Sequence, residues 1–178
     1  MMRNGVGIGI HIYLALYRCS KDGDLVFDQF AGGETTLVEA KLLNRDIIGV
    51  DVNDVVLDRC KEKTAFEHYG ANGKVYIRKD YARNLDFLEE MKTVATESYR
   101  LLKKDKFCAI LMGDTRKKGH MIPMSFEVMR ILEDAGFKLK ELIIKEQHNC
   151  KATGYWKTNS VKYNFLLIAH EYLFVFRK

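Results

Sequence analysis

The stretch DLVFDQFAGGETTLVEAKLLNRDIIGVDVN, residues Asp24 to Asn53, decides the fold. Leu25, Val26 and Phe27 form a short apolar run that stops at Asp28, as a buried strand does. Ala31, Gly32 and Gly33 let the backbone turn tightly and approach a ligand without a Cβ in the way. Thr35 to Leu43 then carries helical apolar spacing at Leu37, Val38, Ala40 and Leu42, with Thr35 or Thr36 as N-cap. Ile47 to Val50 is a second strand run, and it ends in Asp51. An acid about 20 residues beyond a glycine turn is where a nucleotide-binding fold places its acceptor for ribose hydroxyls. The segment reads as half of a nucleotide-cofactor site.

Charge discriminates among nucleotides. NAD and FAD rest a pyrophosphate on the helix N-terminus, a mouth that should be free of acids. Here Asp28 ends the first strand and Glu34 stands at the turn into the helix, and both repel a pyrophosphate held close by. S-adenosylmethionine has no phosphate and carries a sulfonium and an ammonium, which acidic neighbours favour. A turn that binds nothing is the structural alternative. A dinucleotide oxidoreductase is disfavoured by Glu34 and by the lack of a G-x-G-x-x-G spacing after a strand. The opening GVGIGI follows no strand, lacks that spacing, and reads as a flexible start.

The same stretch resembles the D-P-F-x-G-S-G-T-T cofactor motif of DNA methyltransferases that act on exocyclic amino groups, adenine N6 or cytosine N4. Gln29 stands where that family often has proline, and Glu34 falls where its last glycine would be. His11 to Asp28 resembles the family's helix over the methionine end of the cofactor, and Asn164 to Lys178 resembles its terminal strand pair. The resemblance implies S-adenosylmethionine as cofactor and DNA as partner, with RNA the other nucleic acid to consider. It places Phe30, Ala31, Gly32, Gly33 and Thr35 in the motif around the cofactor, and Asp28 towards the cationic methionine end. It places Asp51 on the ribose hydroxyls, Val52 against the adenine ring, and Asp80 on the adenine amino group beside Ala82, although Tyr81 disturbs that last register. Structural alternatives stand beside two of these: Asp28 capping the turn after its strand, and Asp51 capping the following helix.

One part of the family pattern is absent. Its D/N/S-P-P-Y/F/W tetrapeptide, at the end of the fourth strand, has no counterpart in a chain whose single proline is Pro123. After a third strand (74–79, KVYIRK) and the turn KDYARNL, the chain enters DFLEEMKTVATESYRLLKK, one amphipathic helix that runs into the strand Phe107–Met112. No strand plus catalytic loop fits between Leu85 and Phe87, so the fourth strand reads as missing and no catalytic residue is assigned.

The fold expected is α/β: a Rossmann-like class I methyltransferase, with a mostly parallel central sheet, helices on both faces and an antiparallel C-terminal strand pair. The helices fall near 11–19, 35–44, 54–68, 86–103 and 123–135, and the later strands at 138–147 and 164–176, joined by a polar loop without an evident helix. With no linker or repeat, residues 1–178 read as one domain.

At 178 residues and 47% apolar composition the chain is long enough for one core. No run of apolar residues is long enough to span a membrane, so no membrane is expected. Cys19, Cys60, Cys108 and Cys150 are widely spaced, which disfavours a metal site and favours a reduced, cytoplasmic setting. Residues 1–99 carry 13 Lys/Arg against 16 Asp/Glu, whereas 100–178 carry 16 against 8. An acidic cofactor half joined to a basic half suits a protein that meets nucleic acid with the second, and so does a merely solubilising surface.

Two segments of the basic half are candidates for nucleic acid. In GDTRKKGH (113–120), Arg116, Lys117 and Lys118 are placed to pair with phosphates, or they form a solvated loop. In HNCKATGYWKTNS (148–160), Lys151, Tyr155, Trp156 and Lys157 mix bases with aromatics, as stacking on a displaced base requires. The structural alternative is a hairpin loop anchored by Trp156 against the core. Two functions therefore compete: methyl transfer to a DNA base amine, or a catalytically incomplete module that binds cofactor or nucleic acid or complements a partner subunit.

Overall fold

The computed structural model describes residues 6–67, 71–79, 87–147 and 153–178. The chain divides into two compact units, Met1–Asn84 and Leu85–Lys178.

The first unit runs α1 (Val6–Cys19), β1 (Leu25–Asp28), a 3-10 turn (Ala31–Gly33), α2 (Thr35–Leu42), β2 (Asp46–Asp51), α3 (Asp54–Thr64) and β3 (Val75–Lys79). Its three strands are parallel in the order β1-β2-β3, with Val26 opposite Ile47 and Ile47 opposite Val75. Because side chains alternate along a strand, these three share one face. They pack with Ile77 against a cluster of Leu37 and Ala40 of α2 and Cys60 of α3. Leu37 and Ile47 are fully buried, and each such side chain contributes about 1.5–3 kcal/mol.

Helix α1 begins at Val6, so the reading of GVGIGI as a flexible start is corrected from that residue on. The end of α1 is tied to the start of β2 by Arg45, a buried residue. Its guanidinium donates to the Ser20 hydroxyl at 3.0 Å, the Ser20 carbonyl at 2.8 Å and Asp22 at 2.7 Å. A Cβ on Gly73 would overlap the Arg45 carbonyl, which is why the loop entering β3 needs glycine there.

The second unit runs α4 (Phe87–Leu101), β4 (Phe107–Met112), β5 (Thr115–Lys117), β6 (His120–Ile122), α5 (Met124–Asp134), β7 (Lys138–Glu146), α6 (Thr153–Lys162) and β8 (His170–Arg177). An antiparallel sheet of order β4-β8-β7 buries Phe174 and Phe176 against Met91 and Ala95 of α4 and Val128 and Leu132 of α5.

The α/β class, the parallel strands and the antiparallel C-terminal pair agree with the expectation from sequence. Hydrogen bonds join the described strands into a parallel three-stranded sheet, an antiparallel three-stranded sheet and a hairpin. Two details differ from the expectation. The connection before the last strand holds a helix, α6, which lacks the apolar periodicity that would have marked it. The last strand begins at His170 and not at 164, because Asn164 closes α6 with φ 50° and the chain reaches the sheet only after Ala169. The expectation of a missing fourth strand falls on residues 80–86, between β3 and α4, which lie outside the described residues.

Among the described residues no helix is long and apolar enough to cross a membrane, and no three His, Cys, Asp or Glu side chains are placed to hold a metal ion. Among the described residues Cys60 and Cys108 are free thiols.

Candidate functional site

The first unit gathers its acids at the carboxyl ends of β1 and β2. Asp28 closes β1, and its Oδ1 accepts from the Phe30 backbone N–H at 3.1 Å. Its pKa is raised, chiefly by burial. Hydrogen bonds from Phe30 and the Thr36 side chain oppose that rise, and the neighbouring Asp51 charge adds to it. Asp51 closes β2. Its Oδ1 accepts from the Asn53 backbone N–H at 2.9 Å, while a Cβ built on Gly32 would lie 3.7 Å from its Oδ2. The glycine turn thus runs against the carboxylate that ends the second strand.

Asp51 is not the cap of the following helix. That role belongs to Asn53, whose Oδ1 accepts from the Val55 N–H at 3.0 Å. One Asp51 oxygen is taken by this local turn and the other faces Gly32. Val52 and Phe30 are both exposed, so each offers apolar surface at the rim. Thr35 donates its hydroxyl to the Gly33 carbonyl at 3.1 Å, which braces the turn. Ala31 is buried, with the Cys60 thiol donating to its carbonyl at 3.6 Å; its side chain packs in the core. Asp80 lies outside the described residues.

Glu34 behaves differently from its reading in the sequence. Its backbone is left-handed at φ 56°, the conformation for which glycine is the usual residue. Its side chain is only 11% exposed and pairs with Arg59 of α3 at 2.7 Å. It is therefore no bare charge at the helix mouth, and the case against a pyrophosphate loses one of its two acids. Arg59, the partner, was invisible in the sequence because nothing local links a turn residue to one 25 positions on. The reading of Thr35 or Thr36 as N-cap of α2 is corrected: Glu34 holds that position with no side-chain cap bond, and the Thr36 side chain bonds Asp28 instead.

The local field is still negative. The Cys60 thiol is pushed up first by burial and then by Glu34, Asp51 and Asp28, with Arg59 opposing. A thiol held in its neutral form is no nucleophile. The arrangement suits a cation with a hydroxyl-bearing ring beside it.

The second unit holds the basic candidates. Residues 113–120 are not a loop: β5 and β6 form a hairpin whose two-residue turn, Lys118 at φ 50° and Gly119 at φ 82°, has the doubly positive geometry of tight hairpins. Arg116 donates to the Gly119 carbonyl at 3.2 Å and the Leu166 carbonyl at 3.1 Å and lies over the Phe165 ring. It braces the hairpin, whereas Lys117 and Lys118 project at the exposed tip. Tyr155 and Trp156 meet edge to face at 5.3 Å on α6 and are exposed, as is Lys157. Trp156 does not anchor a loop in the core. Lys151 lies outside the described residues.

A model of the DNA methylase family acting on N6 and N4 positions matches residues 12–62, the stretch that builds this acidic crevice. No curated protein matches the chain. Among solved structures, an S-adenosylmethionine-dependent methyltransferase from Methanosarcina mazei superposes with TM-score 0.65 at 13% identity, over 92% of this chain and 96% of that one. The [4+2]-cyclase SpnF gives TM-score 0.67 at 16% identity over 96% and 81%. The cyclopropane synthase MmaA2 from Mycobacterium tuberculosis gives 0.65 at 12% over 95% and 83%. At these identities the likeness is one of fold: the chain has the class I methyltransferase architecture.

Two outcomes follow from the geometry. Gly32→Ala meets only ordinary van der Waals contact at Asp51, so urea unfolding should move by less than about 1 kcal/mol while the crevice narrows and ligand affinity falls. A large loss of stability would show that the turn is packed and not open. Asp28 has a raised pKa, so its proton stabilises the fold below the unfolded value of 3.8 and that gain is lost as pH rises through the folded value. Asp28→Asn should therefore raise stability at pH 7 and lose that advantage in acid, measured by denaturation across pH.

Proposed function

We propose that the first unit binds S-adenosylmethionine and that the chain serves methyl transfer to an exocyclic amino group of a DNA base, adenine N6 or cytosine N4. The observation that carries the cofactor reading is the approach of Gly32 to the Asp51 carboxylate, beside an Asp28 whose pKa burial raises. An open glycine edge next to two acids fits a ligand with ribose hydroxyls and a cationic end. Asp51 would accept from the hydroxyls, Asp28 would face the cation, and Val52 would lie along the adenine. Gly32 and Gly33 would let the backbone close on the ligand, with Phe30 at the rim. When bound, the cofactor supplies an electrophilic methyl group. The protein's own contribution is to orient it and to offset its positive charge.

The family match over residues 12–62 supports the base-amine target, and its span coincides with the cofactor half. On the acceptor side, Lys117, Lys118 and Lys157 offer charge for phosphates, and Tyr155 and Trp156 offer exposed rings for a base. Arg116 would act by holding the hairpin. The free thiols of Cys60 and Cys108 fit a reducing, cytoplasmic setting.

A second reading, an incomplete module that needs a partner, is favoured by one observation. The chain has no D/N/S-P-P-Y/F/W sequence.

Calorimetry separates the cofactors: S-adenosylmethionine should bind and NAD should not, and Asp51→Ala should weaken the former by about 1.5–3 kcal/mol, the worth of hydrogen bonds to a charged group. Tighter NAD binding would end the proposal. Tritiated-methyl transfer to unmethylated duplex DNA then tests activity, and a protein that binds the cofactor but transfers nothing is the module. Trp156 is the single tryptophan, so its fluorescence should be quenched by oligonucleotide if bases stack there; an unchanged spectrum at saturation would remove α6 from the interface.

A further inference from the structure

Two consecutive residues of α3 reach the glycine turn at its two ends. The Cys60 thiol donates to the carbonyl of Ala31, the first residue of the turn, at 3.6 Å. Arg59 places Nη2 2.7 Å from Oε1 of Glu34, the residue that closes it. The contact is an ion pair without hydrogen-bond alignment, so its attraction is one of charge. The Glu34 side chain is nearly covered, and a partly buried pair is screened less than an open one.

Glu34 needs such a hold. At φ 56° it occupies a conformation that residues with side chains avoid. In that conformation its N–H donates to the Ala31 carbonyl at 2.8 Å, and its own carbonyl accepts from the Val38 N–H at 3.1 Å. These two bonds carry the chain from the turn straight into α2. A right-handed Glu34 would swing the peptide that follows Gly33 and draw the turn off the Asp51 carboxylate. Helix α3 starts beside that same carboxylate, which accepts from the N–H of its N-cap Asn53. One helix therefore fixes the turn on one side of the crevice and Asp51 on the other.

We propose that Arg59 is a positioning residue for the crevice: its charge holds Glu34 left-handed, which keeps Gly32 against Asp51 and so sets how tightly the cofactor is bound. Arg59 acts through Glu34 and not on the ligand. The affinity half of the proposal rests on the reading of the crevice as an S-adenosylmethionine site; the conformational half does not. The mechanism also defines its own bypass, because glycine adopts the left-handed form without a tether.

The test uses the full chain, with S-adenosylmethionine titrated by calorimetry and hydrogen exchange followed at the Glu34 amide of the unliganded protein. Arg59→Met keeps a long side chain and removes the charge. It should speed that exchange and weaken cofactor binding, each by about tenfold, the population shift that a left-handed residue undergoes on losing its hold. Arg59→Lys, which keeps the charge, should recover most of both losses. Glu34→Gly should bind the cofactor within about threefold of the parent, and adding Arg59→Met to it should change nothing further. An equal loss of affinity from Arg59→Met in the glycine background would overturn the proposal, because Arg59 would then act on the ligand directly. So would unaltered exchange in Arg59→Met, or a loss of about tenfold from Glu34→Gly alone, which would make Glu34 itself a ligand contact. If the parent protein binds no S-adenosylmethionine, the cofactor reading and the affinity half fall together, while exchange at Glu34 still decides whether Arg59 holds the turn.

Discussion

The crevice depends on one close approach: the backbone at Gly32 lies against the carboxylate that ends β2. Two chain properties make it so. Gly32 has no Cβ to fill the space before Asp51 Oδ2, and Glu34 accepts a left-handed backbone so that the 3-10 turn passes directly into α2. Left-handed geometry at a residue other than glycine costs roughly 1–2 kcal/mol. Here the side chain that incurs it is anchored by Arg59 of α3. The glycine that a methyltransferase motif would place at this position has been exchanged for a tether between the turn and the third helix. That tether also pairs one negative charge at the mouth of α2, which leaves Asp28, with its pKa raised chiefly by burial, as the acid at that mouth without a basic partner among the interactions described.

The strands and helices of residues 24–64 were legible because each carried its own local signal: apolar runs ending in acids, and glycines at the turn. Asp51 was legible for the same reason, since its distance from the glycines is set by one helix and one strand. What was not legible was anything decided between elements. The Glu34–Arg59 pair joins residues 25 apart, and the bracing of Arg116 to Leu166 joins residues 50 apart. Helix α6 escaped notice for a different reason: its exposed side chains surround the axis, so there is no apolar stripe to read. The hairpin β5-β6 was signalled by Lys-Gly between Lys117 and His120, but three-residue strands are too short to show alternation.

The two units differ in what they expose. The first gathers acids at the carboxyl ends of β1 and β2 beside the glycine turn. The second has basic and aromatic side chains on a hairpin tip and a helix, both exposed, together with a row of rings along β8 where Tyr172, Phe174 and Phe176 follow one another at about 6 Å. Arg116 ties the hairpin to the segment leading into β8, so the lysines at its tip stand on a braced turn.

The stability of the first unit is spent in two places for which packing gives no account. Asp28 lies beside another carboxylate with its pKa raised by burial, and Leu25 and Phe27 leave apolar surface in water. Either alone is unremarkable in a small domain, where apolar atoms supply much of any surface. Together they lie on one strand: Asp28 is its last residue and Leu25 and Phe27 its outward side chains.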